Sequence, residues 1–368
     1  MLFLMNKIYQ IALTMIPNVG DKTGKRLVAY CGGVEAVFKE KKSMLSKIPG
    51  IGSYILRSFN STEILANAEK ELNFINKYKI KCLFYLDDFY PSRLKHCVDS
   101  PVMLYYKGNS DLNVEKIISV VGSRRASEYG KSICYDIVSG LATQKVLIIS
   151  GLAYGIDACS HKTALECNIP TVGVVGHGLD RIYPQLNKKL AESMLENGGI
   201  LTEFISGTKP DKENFPKRNR IVAGLSDAVI IIEADRKSGA LITADIANSY
   251  NRDVFAVPGR VGDEKSTGCN HLIKTNKAAL VQSAEDIIYF MGWENEQNTN
   301  PNYQTTLFAE LSEDEKKLVA ILDENKVTGI DDLCILSGIS MNKTASLLLN
   351  LEFKGIVKCM PGKRFARL

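Results

Sequence analysis

Two short stretches hold the side chains of this 368-residue chain best suited to chemistry. The first covers residues 117–130, IISVVGSRRASEYG. Its apolar run, 117–121, predicts a buried strand that stops at Gly122. Ser123, Arg124 and Arg125 then form a polar turn, and a helix is expected from about Ser127. A strand that ends on glycine and feeds a helix turns backbone N–H groups towards whatever lies above the strand end, so it favours anions. Two guanidinium groups in the turn make phosphate the natural guest. The second stretch is Phe215-Pro216-Lys217-Arg218-Asn219-Arg220, the densest cationic cluster. It stands just before the apolar 221–225, and reads as a helix start aimed at the same guest, or as a solvated basic turn. Glu203 and Glu233 end predicted strands nearby. Each is either an acid catalyst or the partner that orients Arg218 or Arg220, and orientation is the preferred reading.

Such side chains need a frame that brings them together. Between residues 117 and 292 strand and helix patterns alternate, the mark of an α/β fold with a mainly parallel sheet. Strands are predicted over 117–121, 146–150, 171–175, 200–203, 228–233, 254–257 and 279–281. The segments after them are GSRRAS, GLAYGID, GHGLDRIYP, FISGTKPDKENFPKRNR, ADRKSGALITAD and PGR. In a parallel sheet these loops gather along one edge, where ligands bind. Arg124, Arg125, Arg181, Lys217, Arg218, Arg220, Arg236, Lys237 and Arg260 all fall in or beside them. The modest net charge of +5 is therefore concentrated on one rim. Tyr129, Tyr154, Tyr183 and Phe215 lie among those cations and could stack on bases.

Other chemistries fit poorly. Composition is that of an ordinary globular protein, 45% hydrophobic and 24% charged, long enough for two or three domains. No GxGxxG follows the first predicted strand of this region, which argues against a dinucleotide. Gly130-Lys131-Ser132 imitates the end of a P-loop, but arginine stands at 125 where glycine is required, and the triplet falls inside a predicted helix. No GxSxG elbow and no Ser/His/Asp trio is recognisable. Asp157 and His161 are one helical turn apart and could form half a metal site; with no further ligands nearby, a capped helix is preferred, and no cofactor or metal is expected. Nine cysteines without a CxxC pair, and no secretion signal, suggest reduced thiols in the cytoplasm. The apolar N-terminus is interrupted by Asn6, Lys7 and Gln10, so it predicts an amphipathic helix, not a membrane span.

The flanks carry their own patterns. Residues 13–27 and 45–59 both read apolar-x-x-Ile-Pro-x-apolar-Gly before a short helix, a helix-hairpin-helix pair. Lys22, Lys25 and Arg26 would suit a DNA phosphate; the alternative is a purely structural pair of hairpins. Residues 67–78 have helical spacing, and 82–86 and 102–106 read as strands that extend the coming sheet. Residues 293–306 are polar and Asn/Gln-rich, as in a linker. Ser312 and Glu315 form a capping box, followed by helices over 313–324, 330–337 and 342–354 and a hairpin turning at Pro361-Gly362. Three helices and a hairpin describe a winged helix. Helix 342–354 would read a groove or contact a protein, and Lys363, Arg364 and Arg367 on the wing favour phosphate.

With these residues in hand, the chain resembles the DNA-processing protein A (DprA/Smf) family. The resemblance rests on Gly122-Ser123-Arg124 with Tyr129-Gly130, on SGLAYGID at 150–157, and on GHGLDRIYP at 176–184. It continues through FPKRNRIVAGLS at 215–226, EADRKSGALITA at 233–244 and FAVPGR at 255–260. It implies an extended Rossmann-like core with a mainly parallel sheet, an N-terminal helix-hairpin-helix (SAM-like) domain and a C-terminal winged helix. The bounds would be 1–65, 66–292 for the core, 293–308 for the linker and 309–368. It also implies single-stranded DNA binding without catalysis, a homodimer with its face near 268–274, no membrane, and delivery of the strand to the RecA recombinase in natural transformation. The family's DNA-binding positions fall on Gly122, Ser123, Arg124, Phe215, Lys217, Arg218 and Asn219; Arg125, Arg220 and Lys237 join them by their place on the rim.

Two other classes of function are alternatives. Nucleotide N-glycosidases use a similar core but carry PGGxGTxxE. Here the matching stretch, residues 236–245, has one glycine and ends on Asp245, not the required Glu. A scaffold with no nucleic-acid contact is the third class.

Overall fold

The computed structural model describes residues 2–294, 311–325, 327–360 and 362–368. Nine strands form one sheet: β1 (Lys81–Phe84), β2 (Met103–Gly108), β3 (Ile117–Gly122), β4 (Leu147–Ser150), β5 (Thr171–Val174), β6 (Gly198–Thr202), β7 (Ala228–Ile232), β8 (Asp253–Ala256) and β9 (Ala279–Leu280). Their spatial order is β1-β2-β6-β5-β4-β3-β7-β8-β9. From β6 to β9 every neighbouring pair is parallel; β2 runs antiparallel to β6, and β1 to β2. The chain steps outward from β3 to β6, then crosses back to place β7 on the other flank of β3. That reversal opens a crevice above the strand ends, where α/β sheets bind ligands.

Six helices precede the sheet: α1 (Leu2–Thr14), α2 (Asp21–Cys31), α3 (Val34–Lys39), α4 (Lys42–Leu45), α5 (Ser53–Ser58) and α6 (Ser61–Lys77). The core adds α7 (Ser92–Lys95), α8 (Glu128–Gly140), α9 (Ile156–Glu166), α10 (Lys188–Met194), α11 (Asn214–Leu225), α12 (Gly239–Ser249), α13 (Thr267–Lys274) and α14 (Ala284–Phe290). Alternation along β3 shows how the sheet is sandwiched. Ile118 and Val120 pack with α8, α9 and α14, whereas Ile117 and Val121 pack with α11, α12 and α13. Because both faces are covered, the central strands are near-continuous apolar runs. The Gly130-Lys131-Ser132 triplet lies inside α8, whose N-cap Ser127 accepts the Gly130 N–H. Helix α6 starts six residues earlier than the spacing of 67–78 suggested, because Asn60 caps it.

The last element group is α15 (Glu313–Asn325), β10 (Val327–Gly329), α16 (Ile330–Ser337), α17 (Met341–Phe353), β11 (Val357–Met360) and β12 (Arg364–Arg367), a winged helix. The Ser312–Glu315 capping box is present in both directions. Strand β10 was not foreseen; three residues are too few to show a period, and it forms only by pairing with β12. Trp293, at the head of the expected linker, is buried against the sheet face. Residues 295–310, the bulk of that linker, lie outside the described residues.

At the strand starts, away from the crevice, one carboxylate organises the sheet. Asp227 is 4% exposed and accepts from Arg93 Nε and Nη2 (both 2.8 Å) and the Ile117 N–H (2.9 Å). Arg364 of the wing joins it at 3.0 Å. Removing one partner of such a pair leaves an uncompensated buried charge. Arg93→Ala should cost roughly 3–5 kcal/mol, read as a lower urea midpoint at unchanged slope. A loss of less than about 1 kcal/mol, the value of an exposed pair, would show that Arg93 is not structural.

Candidate nucleic-acid interface

The site is built from three strand ends and one helix start. Strand β3 ends at Gly122 because nothing larger fits: a Cβ there would overlap the Ile232 carbonyl oxygen and meet Ile156. The following turn is clamped. Ser123 N–H donates to the Glu233 carbonyl (2.7 Å), Arg125 N–H to Ser123 Oγ (3.1 Å) and Ser127 N–H to Glu233 Oε2 (2.7 Å). Glu233 itself sits at φ 56° and is buried. Its role is to fasten the turn, and it orients neither Arg218 nor Arg220. Gly155, at φ 75°, lets the next loop close under the Ser123 carbonyl, which accepts the Ile156 N–H (3.1 Å).

The expected cradle of backbone N–H groups is therefore largely occupied. The same holds at β4: Asp157 Oδ2 accepts the N–H groups of Gly151 (3.1 Å) and Ala153 (3.3 Å). Asp157 is thus an internal anion at the start of α9, and the metal half-site that it might have made with His161 is not assembled. Among the described residues no three His, Cys, Asp or Glu come together as metal ligands. Burial pushes the Asp157 carboxyl up, and Arg218 and Arg124 pull it back.

Side chains supply what the backbone does not. Arg124 and Arg125 are exposed at the turn. Helix α11 brings Phe215 beneath Arg124, whose Cζ lies 5.2 Å from the ring centroid, a cation–π contact. Tyr183 flanks the same ring at 6.1 Å. One turn along α11, Arg218 crosses to the end of β4. It is 4% exposed, and a Cβ at Gly151 would overlap its Nη1. Arg218 has no hydrogen bond and no ion pair among the described residues, and its buried Nε is without an acceptor. Burial lowers its pKa, Asp157 raises it, and Arg124 lowers it again. Arg124 and Arg218 therefore share one side of the domain and feel one another's charge.

The remaining rim residues divide. Lys217 and Lys237 are exposed, and Asn219 Nδ2 donates to the Gly239 carbonyl at 3.4 Å, tying α11 to α12. Arg220 is turned inward instead. It pairs with Glu203 and with Asp21 (3.0 Å), and donates to the Asp99 carbonyl (2.5 Å). Glu203 thus holds Arg220. Arg181 pairs with Asp180 at 2.7 Å. Arg220 lies on the predicted rim, but its charge is answered from within, and pattern alone could not reveal a partner 199 residues away in sequence; Arg181 pairs with its own neighbour at the surface.

Several of the flanking cations are also engaged, while Lys22 on α2 is exposed. Lys25 donates to Ser100 Oγ and Arg26 to the Pro49 carbonyl, while Asp21 at the start of α2 accepts the Val102 N–H (2.8 Å). The first hairpin helix thus turns its N-terminus on the core. On the winged helix, Arg364 meets Asp227, Arg367 meets Asp323 and Lys343 meets Asp314 (2.5 Å). Lys363 remains exposed.

Sequence and structure comparisons identify the family and the fold. The profile of DNA recombination-mediator protein A matches residues 81–292, and that of the DprA winged helix domain matches 305–363. Protein Smf of Synechocystis is 32% identical over 98% of both chains. DNA processing protein DprA of Streptococcus pneumoniae is 45% identical over 55% of this chain and 71% of its own. The X-ray structure of that protein superposes with a TM-score of 0.68 at 35% identity, covering 77% of this chain and 97% of the other. DNA processing protein A of Helicobacter pylori, solved for its single-stranded DNA binding mode, gives 0.53 at 30% identity, covering 58% and 96%.

One titration follows from the packing. His161 is fully buried, and burial with the nearby Arg218 charge pushes its pKa down to about 3. The folded imidazole stays bare where the unfolded one takes a proton, below about 6.5. Stability should therefore fall as pH drops from 6.5 towards 3, by up to about 1.4 kcal/mol per pH unit for this one group. His161→Gln should lose that slope in urea unfolding between pH 6.5 and 5; equal slopes would show that the ring is protonated in the fold.

Proposed function

The chain belongs to the DNA recombination-mediator protein A (DprA/Smf) family, and on that footing we propose that it binds single-stranded DNA along the strand-end rim and hands it to the RecA recombinase. The observation that carries this reading is Arg218, a guanidinium that is nearly fully buried and has no partner of its own. A buried charge without a partner is costly unless a ligand completes it. A phosphate fits: the guanidinium fork offers two parallel donors, and Arg124 adds a second positive charge above it. Phe215, capped by Arg124, offers its ring to a base, and any base has a π-face, so binding tolerates sequence. Gly122 and Ser123 shape the turn, Asn219 fixes α11, and Arg125, Lys217 and Lys237 extend the positive track. The solved Helicobacter pylori relative, described by its single-stranded DNA binding mode, supports the same ligand class.

The reading is non-catalytic. The two acids at the strand ends hold structure: Glu233 clamps the turn and Glu203 holds Arg220. Asp245, nearest to the glutamate position of the N-glycosidases, pairs with Lys277 at the surface (2.8 Å). We place the strand transfer in the cytoplasm during natural transformation, with the protein as a homodimer; no described helix is long and apolar enough to cross a membrane. Arg220, by its pairs, acts on the DNA only through the fold.

Arg124→Ala and Arg218→Ala should each weaken oligothymidylate binding and flatten its salt dependence by about 0.7 in log–log slope per phosphate released. Phe215→Ala should cost about 1–3 kcal/mol of stacking with the slope kept. Fluorescence anisotropy across a salt titration reads both. Wild-type affinity and slope in both arginine variants would place the site elsewhere.

A further inference from the structure

His161 and Arg218 carry complementary unmet groups. The Thr171 hydroxyl, at the start of β5, donates its one hydrogen to the Ile148 carbonyl (3.0 Å). It must then accept from His161, whose Nδ1 lies 2.7 Å away. The proton therefore sits on Nδ1, and Nε2 presents a bare lone pair. That Nε2 is fully buried and has no donor. Arg218 Nε is buried too, carries a hydrogen and has no acceptor. The two lie close in the fold: the Arg218 guanidinium packs on Gly151, whose N–H is held by Asp157, one turn before His161 on α9. Such orphans are rare in folded proteins, and each calls for an explanation.

We propose that His161 is a positioning residue for single-strand binding: its Nε2 is the acceptor reserved for Arg218 Nε–H, and the link closes when a phosphate takes the two outer guanidinium nitrogens. This inference rests on the function proposed above. It also explains the Asp157–His161 spacing without a metal. Asp157 holds the loop under Arg218 through the N–H groups of Gly151 and Ala153, and His161 follows one turn later on the same helix. A neutral imidazole suits the task, because an imidazolium would repel the arginine and offer no lone pair. With three of the five N–H groups directed by protein and ligand at once, the fork is held in one plane for the phosphate.

The test is a set of variants measured with a fluorescein-labelled oligothymidylate. His161→Leu, which removes the acceptor, should weaken binding about tenfold, the loss of one charge-assisted hydrogen bond. His161→Gln, whose amide oxygen can accept, should stay within about threefold of wild type. The double variant His161→Leu/Arg218→Ala should bind as Arg218→Ala alone, since the histidine acts through the arginine. A purely structural histidine would give additive losses. Wild-type binding by Arg218→Ala would overturn the site itself. Weak binding by Arg218→Ala, together with unchanged or additive behaviour of His161→Leu, would overturn only the positioning role. Should His161→Leu fail to fold, ¹⁵N-labelled histidine in the wild-type chain, which has four, gives the same answer. The His161 Nε2 resonance should move upfield when oligothymidylate is added; no shift on saturation would overturn the proposal.

Discussion

A guanidinium that the fold buries and does not pair is the constraint on which this architecture turns. Taking an ion out of water costs several kcal/mol after relaxation, and proteins offset that with a close partner. Elsewhere this chain does so: Arg93 is clasped by Asp227, and Arg220 by Glu203 and Asp21. Arg218 lies two residues from Arg220, yet its nearest countercharge, Asp157, uses a carboxylate oxygen on backbone N–H groups. The absence of side chains at Gly151 makes room for it. The stability of the remaining fold carries that expense, which on the proposed reading keeps the arginine poised for an anion.

This arrangement assigns opposite tasks to the two ends of the sheet. At the strand starts, Asp227 collects Arg93, the Ile117 N–H and Arg364, joining strands β3 and β7 to α7 and to the wing. At the strand ends, Arg124, Arg125, Lys217, Arg218 and Lys237 have no ion-pair partner among the described residues. Positive charge is thus neutralised where the structure must be held and left open where a polyanion would lie. Side chains, more than backbone N–H groups, would face that ligand, because Glu233 and Asp157 already occupy the turns. On the proposed reading such a rim would follow a flexible phosphate chain, with Arg218 as its one fixed point.

Much of the core could be read from residues alone. The apolar runs ending in glycine located the central strands to within a residue or two, since strands buried on both faces must be continuous and glycines mark close approaches such as Gly122 against Ile232. The closeness of Arg124 to Phe215 followed from the shared rim. Long-range pairing was the part that spacing could not carry. Arg220 looked equal to Arg218 in the FPKRNR run, and only the packing of α2 on the core, through Asp21, separates them. For the same reason spacing could not show that the hairpin cations Lys25 and Arg26, and Arg364 on the wing, also meet protein groups. The Asp157–His161 spacing was visible, but its meaning depends on partners from other elements: Asp157 holds the N–H groups of Gly151 and Ala153, and His161 meets Thr171.

The most direct test of the central claim is a crystal structure with a short oligothymidylate bound. The account predicts one phosphate within hydrogen-bond distance of the outer nitrogens of Arg218, Arg124 beside it, and a base against Phe215. A bound strand that leaves Arg218 without a partner, or lies on another face of the domain, would contradict it.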